Sequence, residues 1–108
     1  MQLEFYRDGA GDPRARCKGP GGKDLAGFLE SDLQGSGKQG RAILRAIDSI
    51  EAGKLAGREI TGNSYTLTLS PSGASLVNEN DENAKPRHLS LTELRAAVAD
   101  WTAFVEEG

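Results

Sequence analysis

The chain holds one histidine (His88), one cysteine (Cys17), one methionine and one tryptophan in 108 residues. A single cysteine excludes an intrachain disulfide, and one His with one Cys cannot complete a zinc site. The same scarcity removes the parts from which most catalytic triads and thiol nucleophiles are assembled. No run approaches the ~18 apolar residues that would span a bilayer. The opening residues 1–8 carry Glu4 where a signal peptide needs an apolar core. These absences predict a cytoplasmic protein with no cofactor, no metal and no membrane association, which presents a surface and is not an enzyme.

What is present fits one domain over residues 1–108, a length that buries most of the surface its unfolded form exposes but cannot sustain two cores. A hydrophobic fraction of 37% and a charged fraction of 27% are globular values, which argues against disorder. Sixteen acidic against 13 basic residues leave a net charge of −3. That sign disfavours direct nucleic-acid binding and favours a basic partner.

Leu3, Phe5 and Arg7 alternate with Glu4, Tyr6 and Asp8, the period of a strand. The cluster Gly9-Ala10-Gly11-Asp12-Pro13 then offers a hairpin loop into residues 14–18, with Gly19-Pro20-Gly21-Gly22 as the stop. From Lys23 the spacing becomes helical: Leu25, Phe28, Leu29 and Leu33 share one face. After Gly35-Ser36-Gly37 a second helix carries Ile43, Leu44, Ile47 and Ile50, with Ala42 and Ala46 permitting close approach of a neighbour and Gly53 ending it. Residues 58–61, 65–69 and 74–77 predict a three-stranded antiparallel meander with turns at Gly62-Asn63 and Pro71-Ser72-Gly73. Residues 78–86 form the most acidic segment and predict an exposed loop. Ser90-Leu91-Thr92-Glu93 has the form of a capping box, opening a helix whose Leu94, Val98, Trp101 and Val105 face the core.

Partial motifs fail on inspection. Gly37-Lys38 lacks the glycine five positions earlier, where Asp32 stands, and is followed by Gln39 instead of Ser or Thr, so an interhelical linker outweighs a phosphate loop. The stretch 79–83 lacks the glycine of a calcium loop. His88, without an identifiable nucleophile, reads as a surface or sheet-edge residue before a general base. Cys17 reads as a small strand residue, although Arg16 and Lys18 beside it would favour thiolate.

The segment Leu3-Glu4-Phe5-Tyr6-Arg7-Asp8, the strand Tyr65-Thr66-Leu67, and Leu89-Ser90-Leu91 leading into a helix through Trp101, Phe104 and Val105 together resemble the YacL family of small bacterial proteins. Residues 27–33 resemble it more loosely, and the glycines near Gly19 and Gly35 depart from its pattern. Proteins of this appearance are similar to small acidic immunity proteins of contact-dependent growth inhibition and other polymorphic toxin systems. The resemblance implies a cytoplasmic immunity protein that occludes a cognate toxin domain, a basic nuclease such as a tRNase, as a monomer or weak dimer. Acidity and exposure then nominate Glu79, Asp81 and Glu82 as toxin-binding residues, with Glu30 and Asp32 as second choices. The alternative is a housekeeping protein-binding module, possibly homodimeric. A small hydrolase using His88 is the remaining rival. The expected fold is α+β: an antiparallel sheet of about four or five strands with helices packed on one face and the other face free for binding.

Overall fold

The structure, a computed structural model, describes residues 2–18 and 22–107, except the side chains of Gln2 and Lys18. The Gly19-Pro20-Gly21 stop lies outside the described residues. Strands β1 (Gln2–Arg7) and β2 (Pro13–Lys18) pair antiparallel through a loop built by Asp8. The Asp8 carbonyl accepts the Gly11 N–H and its own N–H donates to Asp12, while Gly11 takes the left-handed φ of +84° that closes such loops. The Asp8 carboxylate accepts from the Ala10 and Asp12 amides and from Arg14 Nε at 2.9 Å, which holds it below the usual carboxylate pKa range. With that closure, the alternation of an antiparallel ladder turns the backbone groups of residues 13, 15 and 17 away from β1. Pro13, which has no N–H, therefore breaks no ladder bond.

Helix α1 (Gly22–Phe28) runs directly into a π-helical segment, Leu29–Leu33, where the Gln34 amide reaches back five residues to the Leu29 carbonyl. The expected apolar face is realised, since Leu25, Phe28, Leu29 and Leu33 are all buried. The wider π turn is what the 3.6-residue pattern did not predict. Gln34 ends it at φ +53°, and Trp101 Nε1 donates to the Gln34 carbonyl at 2.8 Å.

Helix α2 (Gly37–Glu51) starts at Ser36, whose hydroxyl accepts the Lys38 amide. It ends in a Schellman motif: Lys54 N–H to Ser49 O, Gly53 N–H to Ile50 O, and Gly53 at φ +76°. It packs closely on the last helix, α3 (Leu91–Glu106), at Gly40, where an added Cβ would lie 2.1 Å from Thr102 Oγ1. Ala46 is buried in the core and Ala42 is half-buried. The capping box of α3 is complete, with Ser90 Oγ accepting Glu93 N–H and Glu93 Oε1 accepting Ser90 N–H.

Strands β3 (Arg58–Thr61), β4 (Tyr65–Ser70), β5 (Gly73–Asn78) and β6 (Arg87–Leu89) form an antiparallel sheet in that order. Tyr65, Leu67, Leu69, Ala74, Leu76 and Leu89 point inward and meet the helices in one apolar cluster centred on Trp101, Phe28 and Leu67. The α+β class is as expected, but the strands divide between two sheets. β2 packs on α1 and the π segment, and β1 lays Phe5 edge-on against Trp101 at 5.3 Å. The hairpin is thus held by helices and does not extend the sheet.

A candidate partner-binding loop

Residues 78–86 join β5 to β6, and polar side chains shape them from within. Asn78 Oδ1 accepts the Asn80 amide and Asp81 Oδ1 accepts the Asn83 amide, both at 3.0 Å, giving two successive Asx turns. Backbone bonds from Asp81 to Asn78 and from Ala84 to Asp81 repeat that staircase, and the Glu79 amide ties its base to the Ser64 carbonyl at 2.8 Å. The loop's shape thus rests on its own bonds. Glu79, Asp81 and Glu82 are exposed. Among the described residues none of the three is in an ion pair, in contrast to Glu4 with Arg16, Asp48 and Glu51 with Arg95, and Glu106 with Arg41.

Lys85 and Arg87 stand at the far end of the same segment, so residues 78–87 sum to three acids and two bases, net −1. Negative charge is therefore concentrated at the tip, 79–82. Between the loop and α1 lies a cleft of about 410 Å³ lined by Lys23, Asp24, Tyr65, Asp81, Lys85 and Arg87 among others. The Tyr65 phenol at its floor is pushed up in pKa by burial and then by the Asp24 charge, so it stays a neutral hydroxyl at physiological pH.

The second-choice acids lie elsewhere and bond to this chain. Glu30 Oε1 accepts the Ala15 amide at 2.7 Å, taking a donor on the open edge of β2, and Oε2 lies 3.8 Å from Arg14. Asp32 accepts the Ser64 amide at 2.9 Å, the Tyr65 amide at 3.0 Å and the Ser31 hydroxyl at 2.8 Å. A two-residue hairpin normally sends its fourth N–H back to its first carbonyl. Here Asp32 receives that donor, while Asn63 Nδ2 bonds the Ser31 carbonyl. Both carboxylates brace the fold across 15 and about 32 residues, and no local spacing signals such a bond.

His88 is exposed on the edge strand β6, opposite Ser75. Register aligns Glu59, Thr68, Ser75 and His88 in one row across the outer face of the sheet. Cys17 is half-buried on β2 against Gly22, where an added Cβ would fall 2.2 Å from its sulfur, so its size fits a packing role. Among the described residues, no three His, Cys, Asp or Glu side chains come together as a metal-ligand set, and no helix is long and apolar enough to cross a membrane.

No protein-family model matches the chain, nor does any curated protein or solved structure.

Proposed function

We propose that this chain is an immunity protein that binds and neutralises a cognate bacterial toxin domain, a basic nuclease such as a tRNase of a contact-dependent growth inhibition system, by stoichiometric occlusion in the cytoplasm. One observation carries the reading: the carboxylates of Glu79, Asp81 and Glu82 stand exposed, and without ion pairs among the described residues, on a loop that two Asx turns hold in one conformation. A nuclease needs a cationic surface to hold nucleic acid, and a preformed acidic projection competes for that surface as a phosphate mimic. Preorganisation matters, because a loop already held by its own bonds loses little conformational entropy on docking. The net charge of −3 adds favourable steering toward a basic partner.

Glu30 and Asp32 contribute by holding the hairpin and the β3–β4 turn in place, and the loop tip makes the contact. The test is co-expression with the upstream open reading frame, followed by co-purification and growth rescue. Charge reversal at Glu79, Asp81 and Glu82 weakens the complex and flattens its salt dependence. Rescue and binding indifferent to all three substitutions remove the loop from the interface.

A further inference from the structure

A second feature that selects for a ligand lies where α1, α3 and β1 meet. Helix α3, α1 and the β1 strand border a groove of about 270 Å³ lined by Leu3, Leu25, the exposed Ala96 and Ala97, with Glu93 and Asp100 one turn to either side of the alanines on α3. Ala97 and Leu25 are buried and Leu3 half-buried, while both carboxylates are exposed. Glu93 and Asp100 are seven residues apart, two turns of helix, so they sit on one face about 10 Å from each other. Small residues between them keep the groove open. Among the described residues neither acid is in an ion pair, and only one Glu93 oxygen is used by the capping box.

An apolar trough ended by carboxylates is complementary to one kind of side chain: a long aliphatic stem carrying a cation. Arginine and lysine bury their methylenes along apolar surface and keep the charged head in a polar setting. Here the stem would lie on Leu3 and the alanines, with the head on Glu93 or Asp100. We propose that this groove docks an arginine or lysine side chain of a basic partner protein. The proposal rests on the partner chemistry inferred above and adds a second contact to it. Consecutive residues of α1, Asp24 and Leu25, line the loop cleft and this groove respectively, so both features border the same short helix.

The test needs no toxin, so its failure is distinguishable from failure of the immunity reading. The full-length protein, labelled with ¹⁵N, is titrated into the millimolar range with N-acetyl-arginine amide and, separately, with the uncharged isostere N-acetyl-citrulline amide. The expected result is saturable shifts of the Leu3, Ala96, Ala97 and Asp100 amides with arginine, and affinity for citrulline lower by about tenfold or more, the equivalent of one charge-assisted hydrogen bond. The pair Glu93→Gln and Asp100→Asn should lower arginine affinity by a similar factor; glutamine at the third helical position preserves the capping box, so the fold survives. Equal shifts with citrulline, shifts confined to other residues, no shifts, or undiminished binding by the folded double variant each overturn the proposal. Should that variant unfold, the arginine-to-citrulline comparison on the unsubstituted protein decides alone.

Discussion

Replacing Asp32 with alanine strips the acceptor from the Ser64 and Tyr65 amides in one step, while the Ser31 hydroxyl keeps the Gly27 carbonyl. Hydrogen bonds to a charged group contribute about 1.5–3 kcal/mol each. The two bonds are only part-buried, beside an exposed turn, so water replaces part of what the two amides lose. Taking the low end for those two bonds gives a destabilisation of about 2–3 kcal/mol. For a domain of this size that corresponds to a fall in melting temperature of roughly 10 °C or more. The assay is urea unfolding followed by the fluorescence of Trp101, the single and fully buried tryptophan. Gly62 supplies the check on mechanism, because a Cβ there would lie 2.4 Å from Asp32 Oδ2. Gly62→Ala therefore attacks the same bond network, and in the Asp32→Ala background the carboxylate part of that clash is gone, leaving only the 3.0 Å contact with the remaining Cβ. The two substitutions should be less damaging together than their sum by more than about 0.5 kcal/mol, the margin expected of independent sites. Loss below that margin for Asp32→Ala alone, or strict additivity with Gly62→Ala, would refute the brace.

Other outcomes follow from the same contacts. Gly40→Ala forces α2 and α3 apart at Thr102 and should destabilise by about 1–3 kcal/mol as overpacking, read by thermal melting. Thr102→Val should be neutral or stabilising, since Thr102 Oγ1 is buried without a hydrogen-bond partner and its loss removes a desolvated polar atom. Gly53→Ala, at φ +76°, should lower stability by about 1 kcal/mol through the Schellman motif alone, measured by chemical denaturation. Asp8 and Glu93 have folded pKa values held below their ordinary ones, Asp8 chiefly by Arg14 and Glu93 by the Ser90 backbone. Their stabilising contribution is therefore complete above the ordinary carboxylate range and disappears as pH falls through the depressed values, which a pH series of melting temperatures checks. Tyr65 works in the opposite direction: its raised pKa means that stability should fall as pH rises past about 10, where the unfolded phenol ionises first.

The parts of the fold that short-range patterns encode were legible in the sequence. The capping box at Ser90, the Gly53 stop, the Tyr65–Leu69 alternation and the apolar stripe of α3 each repeat within a few residues, so local spacing carries them. The π-helical turn was not legible, because Leu25, Phe28, Leu29 and Leu33 satisfy a regular helix equally well. The separation into two sheets was also hidden, since it depends on Glu30 reaching the Ala15 amide and on β1 settling against Trp101, contacts that span 15 and 96 residues. For the candidate site, the exposure of Glu79, Asp81 and Glu82 followed from the absence of apolar residues around them. The bonding of Glu30 and Asp32 did not, because a carboxylate that braces a distant turn looks the same in sequence as one facing water. Asp100 carried no signal of its own, and only the packing of β1 beside α3 makes it one end of a groove.

The most direct test of a stoichiometric acidic shield is a calorimetric titration of this protein with the product of the open reading frame immediately upstream of its gene, at low and at high salt. One-to-one binding that weakens as salt rises, and that charge reversal at Glu79, Asp81 and Glu82 abolishes, is the expected result. Absence of a complex, or a complex of unchanged affinity after that reversal, would contradict it.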